Sequence, residues 1–393
     1  MTPPQISYGG RLFVNGRFTG SDTAAEPGWL LVRDGLVHAL GHGTPPDVPE
    51  PVEELRGGLV VPGFVDPHCH GGGGHCVYTG DPDDVRAAAA SHLAHGTTAM
   101  LASVATVEPP AMEAAARAVA SVIDDGSAPN LVGIHFEGPF LSPARRGAQT
   151  ADALRRPEPA VLERLLDAAG GHAVSMTIAP ELPGAAELVR DHADDLVWCL
   201  GHTDADPAAF ERAVALGARA VTHLFNAMPP LHHRAPGPVA AALLDGRLVC
   251  ELILDGHHLA DDTARLAHRL AGPGRLALVS DAMAAAGMPD GDYAFADREV
   301  TVTGGVARLR GTGTLAGSTL FVAEAFRRAR TVLGLGTDDA VRMASTTAAG
   351  LLGLGDRGAL RPGARADLVL LDGDTRPARV WLAGSAVPGS APP

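Results

Sequence analysis

Two histidines stand two positions apart at the end of an apolar run, Val65-Asp66-Pro67-His68-Cys69-His70-Gly71. Side chains alternate along extended backbone, so His68 and His70 share one face and Cys69 takes the other. Paired imidazoles on one face are good ligand geometry for a divalent metal. The glycines Gly71 to Gly74 follow, and glycine lets backbone approach a ligand closely. Further polar groups close other apolar runs: His135-Phe136-Glu137, Gly201-His202-Thr203, Thr222-His223-Leu224 and Val279-Ser280-Asp281. Singly, each has an ordinary alternative. A histidine at a strand end is usually a hydrogen-bonded core or surface residue, Glu137 can pair with Arg145, and Asp281 can cap a following helix. Their shared position at strand ends is what argues for chemistry. Nitrogen and carboxylate donors suit Zn²⁺, Fe²⁺ or Mn²⁺, and the scarcity of candidate thiolates argues against a closed structural zinc site. Cys69 and Cys76 flank the glycines and are expected to pack rather than to ligate. His172, His192 and His268 fall in helical or loop contexts and are expected to be solvated.

The elements that must position these groups follow a repeating pattern. From Gly58 onward, strand-like runs alternate with Ala-rich helical stretches. The runs are Leu59-Val-Val…Phe64-Val65, Thr98–Leu101, Leu131–Ile134, Val174–Ile178, Leu196–Cys199, Ala220-Val221, Leu248–Leu254 and Leu276–Val279. Helical candidates between them include Asp83–His95, Pro110–Asp124, Pro159–Ala169 and Asp206–Leu216. Strands and helices in this order predict an α/β chain with a (β/α)8 barrel rather than an open doubly wound sheet. No Gly-x-Gly-x-x-Gly follows the first strand, which argues against a dinucleotide fold. Barrels of this type place their chemistry at the C-terminal ends of the strands, where the polar groups above stand.

Both ends of the chain read differently, as short strands between turns. Arg11–Val14, Asn15-Gly16 and Arg17-Phe18 suggest a hairpin, as do Leu30–Val32, Asp34-Gly35 and Leu36-Val37. The Pro-rich stretch from Thr44 to Pro51 reads as a linker. Gly363–Asp372 and Val380–Gly384 read as strands. The expected organisation is therefore residues 1–57 and 362–393 forming one small β-sandwich domain beside a barrel over residues 58–361.

Composition narrows the function classes. The chain has 393 residues, 46% apolar and 19% charged, as expected of a soluble globular enzyme. Its formal charge is −14, and basic residues cluster only in pairs such as Arg145-Arg146 and Arg327-Arg328, so nucleic acid is not an expected partner. An anionic substrate would have to be held by a few placed residues. The 4 cysteines are irregularly spaced and do not suggest a disulfide framework. No targeting segment or membrane-spanning stretch is read, so a cytoplasmic, reduced protein with no membrane partner is expected.

Taken in order, the motifs resemble the amidohydrolase superfamily, and within it the N-acetylglucosamine-6-phosphate deacetylases. The resemblance rests on Val61-Pro-Gly-Phe-Val-Asp-Pro-His-Cys-His, His135-Phe-Glu-Gly-Pro-Phe-Leu, Gly201-His-Thr and Thr222-His-Leu-Phe-Asn-Ala-Met-Pro-Pro. Asp255-Gly-His-His, Val279-Ser-Asp-Ala and Gly313-Thr-Leu-Ala-Gly-Ser complete the set. It covers nearly the whole chain. The Glu-Gly-Pro and Thr-His-Leu-Phe-Asn-Ala-Met-Pro motifs are specific to the deacetylase branch, whereas His-x-His marks only the superfamily. The resemblance implies metal-dependent hydrolysis of the acetamide of N-acetylglucosamine 6-phosphate. It implies that Glu137, His202 and His223 hold a principal divalent metal, with His68 and His70 for a second; zinc is the first expectation, with iron, manganese or cobalt as alternatives. Asp281 would act as general base and then acid. Asn226, Ala227, Arg234 and His258 would hold the sugar phosphate, with Leu315, Ala316 and Gly317 near the sugar. A homodimer is implied, in which part of this pocket can come from the partner chain. One departure stands out: the loop that usually ends Gly-Ala-His reads Gly147-Ala148-Gln149, so Ala148 and Gln149 take the place of a substrate-proximal motif whose histidine can carry charge. The alternatives are a related amidohydrolase with another N-acetylated hexosamine phosphate or an N-acyl amino acid, and a catalytically inactive binding protein.

Overall fold

A computed structural model describes residues 10–19, 27–373 and 375–389. Eight parallel strands form the central sheet: Phe64–Asp66, Thr97–Val104, Leu131–Glu137, Ala173–Ile178, Val197–Leu200, Ala220–Val221, Val249–Ile253 and Leu276–Val279. They neighbour one another in chain order. The first and last approach through loop residues: Asp281 donates its backbone N–H to His68 O at 2.9 Å, and His70 to Ala282 O at 2.9 Å. The sheet is thus a nearly closed barrel. Every residue of Thr97–Val104 is buried. Burial on both faces explains why these strands read as unbroken apolar runs.

The outer helices begin where the sequence places prolines. Pro82–Ala94, Pro109–Asp124, Pro159–Ala169 and Pro207–Leu216 each start at proline, whose missing N–H costs nothing in the first turn. Asp81 and Asp206 cap two of them by accepting from Asp83 N and Ala209 N.

Both chain ends share a second, mixed sheet. It holds Arg11–Phe18, Pro27–Arg33, Leu36–His42, Val52–Glu54, Leu59–Pro62, Leu368–Asp372, Arg376–Leu382 and Ser385–Ala386. Its core contains Phe13, Leu30, Val60 and Trp381, with the Phe13 and Trp381 rings edge-to-face at 5.1 Å.

Some local readings change. Leu59–Val65 is not one strand. Leu59–Pro62 pairs with Leu368–Asp372 in the terminal sheet, and Phe64–Asp66 enters the barrel. Gly63 alone separates them, and a Cβ there would lie 1.9 Å from Thr98 Oγ1. Asn15-Gly16 is not a hairpin turn. Arg11–Phe18 runs straight through, with Asn15 at φ 53° and a register shift between Val14 and Gly16. The positive φ serves a bulge, because parallel partners at Val52–Glu54 and Leu59–Pro62 hold the strand extended. Asp34-Gly35 does turn a hairpin, with both residues at positive φ. A three-stranded antiparallel sheet, Gly291–Phe295, Arg298–Thr303 and Val306–Leu309, follows the eighth barrel strand, in addition to the strands expected from the sequence. Among the described residues, no helix is long and apolar enough to cross a membrane.

Candidate active site

The polar groups at the strand ends converge on one carboxylate. Glu137 closes the third strand and is 2% exposed. Its Oε1 lies 3.1 Å from His202 Nε2, 3.2 Å from His223 Nε2 and 3.3 Å from His68 Nε2. Its Oε2 lies 3.2 Å from His70 Nε2. His68 and His70 face each other at 3.2 Å between Nε2 atoms, and His202 and His223 at 3.0 Å. Cys69 points away, as alternation requires, with Sγ against His92 Nε2 at 3.2 Å. Asp281 completes the cluster with Oδ1 at 3.3 Å from His70 Nε2 and 3.6 Å from His68 Nε2.

Three of these residues adopt left-handed backbone: His202 at φ 46°, His223 at 29° and Asp281 at 45°. Non-glycine residues there cost of order 1–3 kcal/mol each and persist only where surrounding structure fixes them. Here the strand-to-loop corners turn each side chain inward.

Two overlapping donor sets result, His68–His70–Glu137 and Glu137–His202–His223. Four imidazole nitrogens surround a single carboxylate, and within each pair they face each other at 3.2 and 3.0 Å. A divalent cation is the partner this arrangement fits, and nitrogen and carboxylate donors suit zinc, iron, manganese or cobalt alike. Burial pulls the His70 imidazole toward neutrality, but the Asp281 and Glu137 carboxylates outweigh it and hold it up at about 9. Burial opposes ionisation of Glu137 and Asp281. The facing imidazoles outweigh that too and keep both carboxyls below their ordinary range. At neutral pH a cation held by His70 would therefore displace a proton from it. Its affinity should fall as pH falls below about 9, with protons released on binding. Calorimetric titration at roughly pH 6 and pH 8, in buffers of different ionisation enthalpy, checks this; an affinity independent of pH would contradict it.

The match to known sequences follows the same layout. Residues 59–388 match the Amidohydrolase family. The chain belongs to that family. It is 36% identical over 386 residues to an N-acetylgalactosamine-6-phosphate deacetylase of Shewanella sp. (strain ANA-3), covering 96% of this chain and 95% of the relative. An N-acetylglucosamine-6-phosphate deacetylase of Bacillus subtilis (strain 168) is 35% identical over 354 residues, covering 88% of this chain and 89% of the relative. Among solved structures, a mutant N-acetyl-D-glucosamine-6-phosphate deacetylase from Mycobacterium smegmatis, in complex with N-acetyl-D-glucosamine-6-phosphate, is 39% identical with a TM-score of 0.91. That likeness covers 96% of this chain and 99% of the solved one. The family implies a divalent metal, which the two donor sets of this amidohydrolase could hold.

A cavity of about 200 Å³ opens above the cluster. Ala148, Gln149, Asn226, Ala227, His258, Leu315 and Gly317 line it together with Glu137, His202, His223 and Asp281. His68 and His70 lie beneath, fully buried. Ala316 is buried and does not line it. Arg234 does not line it either: it sits on an exposed loop with its guanidinium 2.6 Å from His233 Nε2. No lysine or arginine is among the lining residues. Asn226 turns its amide N–H groups onto His223 O and Leu224 O, at 3.2 and 3.3 Å. His258 gives Nδ1–H to Asp255 at 2.8 Å, so donation from Nε2 requires the doubly protonated ring.

Several residues escaped the sequence reading. Glu251, on the seventh strand, accepts from His68 Nδ1 at 3.0 Å and from His223 N at 3.2 Å. That contact fixes the tautomer leaving His68 Nε2 toward the cluster. A lone glutamate within the apolar run Leu248–Leu254 was the available signal. Phe295, from the added sheet, Thr314, Ile253 and Gly147 also line the cavity. The alternative partner for Glu137 is not used: Arg145 pairs with Asp204 at 2.8 Å and gives its carbonyl to His202 Nδ1–H at 2.9 Å. His135 stays outside the cluster, engaged by Ser103 Oγ and Thr177 Oγ1 at 2.9 Å each. Asp66, Cys69 and His92 form a further buried group in which Asp66 accepts from Ser280 Oγ at 2.6 Å. Burial holds His92 neutral, at about 4. All four cysteines are free and buried. His172 and His192 are half-buried rather than solvated, paired with Asp124 at 2.8 Å and Asp195 at 3.1 Å, and His268 is half-buried too.

Proposed function

We propose that this amidohydrolase removes the acetyl group from N-acetylated hexosamine 6-phosphates, releasing acetate and the amino-sugar phosphate. The observation that carries the reading is one carboxylate, Glu137, shared by two histidine pairs, with Asp281 beside it at the floor of the cavity. The relatives supply the substrate class, and their names include both glucosamine and galactosamine derivatives.

Glu137, His202 and His223 would hold one cation, and His68, His70 and Glu137 a second. Bound there, a divalent cation supplies Lewis acidity, polarising the acetamide carbonyl and lowering the pKa of water from ~15.7 toward about 7. The remaining work belongs to side chains. Asp281 is ionised at neutral pH and accepts the proton of the attacking water. His258 lines the cavity, and its Nε2, when the ring carries both protons, can donate to the oxyanion of the tetrahedral intermediate. Asp281 then returns the proton to the departing amine. Asn226, Ala227, Leu315 and Gly317 shape the sugar site around these atoms.

The phosphate needs a cationic partner that the cavity lining lacks. We infer a homodimer in which Arg234 of a second copy reaches over the cavity, its fork matching two phosphate oxygens. Charged hydrogen bonds contribute about 1.5–3 kcal/mol. Arg234→Ala should therefore raise KM for the phosphorylated sugar ~10–100-fold and leave the unphosphorylated amide unchanged. Mixing Arg234→Ala chains with Asp281→Asn chains should restore activity, because mixed dimers rebuild one complete site. A mixture that keeps the raised KM of the Arg234→Ala protein would return Arg234 to its own chain.

Acetate release from N-acetylglucosamine 6-phosphate and N-acetylgalactosamine 6-phosphate, before and after chelation and with Zn²⁺, Mn²⁺, Fe²⁺ or Co²⁺ restored in turn, tests the reading as a whole. Turnover lost on chelation and regained with metal is expected. No release from either sugar with metal demonstrably bound would defeat it in favour of another amide.

A further inference from the structure

Gln149 does not stand free toward the sugar. It is 2% exposed, and its Oε1 accepts the Thr106 backbone N–H at 2.8 Å. An N–H can meet only an acceptor, so this contact fixes which way the carboxamide faces. Its Nε2 is thereby turned to the other side, where one of its two N–H groups donates to Oε2 of Glu137. The clamp is closed from the other side, where Thr106 Oγ1 donates to Glu137 O at 2.5 Å.

The plane of Glu137 matters because its two oxygens serve different histidines. Oε1 faces His202, His223 and His68, and Oε2 faces His70. The last torsion of a glutamate is broad and sets no plane by itself. We propose that Gln149 is a positioning residue that holds the plane of the Glu137 carboxylate, keeping Oε1 toward His202, His223 and His68 and Oε2 toward His70. It does so without adding charge. A protonated imidazole in its place would put a positive group against Oε2, the oxygen facing His70, and would disfavour a second cation there. The inference rests on the metal-dependent reading above and assigns Gln149 to the cations rather than to the sugar.

The test uses the full-length protein, stripped of metal and titrated with Co²⁺, read by calorimetry and by the visible bands of bound cobalt. Gln149→Met and Gln149→Leu keep much of the volume and remove the N–H; using both guards against one failing to fold. Changes in groups that orient metal ligands typically weaken affinity ~10–100-fold. That loss is expected in one of the two cobalt steps, with the other step moving far less. Turnover on N-acetylglucosamine 6-phosphate should fall in kcat, recover as cobalt is raised, and show KM unchanged. Two unaltered cobalt steps with KM alone raised would make Gln149 a sugar contact and overturn the proposal. Equal weakening of both steps in parallel with the melting temperature would overturn it as well, as a general structural loss. Wild-type protein that binds no cobalt would remove the functional reading itself, an outcome distinct from either.

Discussion

Asp281→Asn should bind its full complement of cations and lose nearly all turnover. The change keeps size and most hydrogen bonding but deletes the carboxylate proposed to accept the proton. General acid–base groups contribute roughly 10²–10⁴-fold, and a single residue serving both steps should sit at the upper end. Asp281 is suited to the role because the His70 and His68 imidazoles hold its carboxyl below the ordinary range despite burial. It is also close enough to both histidines, at 3.3 and 3.6 Å, for a competing role as a ligand. Metal content by mass spectrometry and acetate release on one preparation separate the two. Full cation content with kcat down by orders of magnitude supports proton transfer. Parallel loss of a cation and of turnover would make Asp281 a ligand first.

Glu137→Ala should be worse, because that carboxylate is the only residue common to both donor sets among the described residues. Removing it leaves His202 and His223 without the carboxylate they face, and His68 and His70 with Asp281 alone. Dialysed protein should lose both cations, with affinity falling by more than the roughly 10–100-fold typical of supporting residues. Turnover should drop below detection. His70→Ala is the comparison: it touches one set only and should cost at most one cation. Glu137→Ala protein that keeps one cation per chain after dialysis would show that the two sets do not share their carboxylate.

Much of the barrel was legible because its signals are local. Strands buried on both faces are continuous apolar runs, and prolines mark the helix starts at Pro82, Pro109, Pro159 and Pro207. Strand ends could be located, so polar residues at those ends could be gathered onto one rim. What escaped depends on contacts between distant segments. Val61-Pro62-Gly63 carries a break signal, but with both halves buried nothing in the periodicity says that they join different sheets. Asn15-Gly16 satisfies a tight turn and a bulge equally, and only its parallel neighbours decide. Glu251 was hidden inside an apolar run, since its partner His68 lies 183 residues away in sequence. The Gly147-Ala148-Gln149 loop could be compared with the sequences it resembles, but only the Thr106 N–H reveals which way the glutamine faces. Arg234 marks another boundary: its motif resembles a phosphate contact, yet the side chain sits on an exposed loop away from the cavity lining.

Gly63 makes the barrel's first strand a continuation of the terminal sheet. Leu59–Pro62 is pinned between Arg11–Phe18 and Leu368–Asp372, Gly63 N donates to Asp367 O at 2.9 Å, and Thr98 leaves no room for a side chain at the joint. The backbone that carries His68 and His70 is thus a lever whose other end is clamped in a sheet that touches no part of the cavity. Fraying either clamp strand, by truncation or by a poorly placed fusion, would be felt as looseness of the histidine pair. Cation retention would then report the integrity of that sheet as faithfully as it reports the ligands themselves.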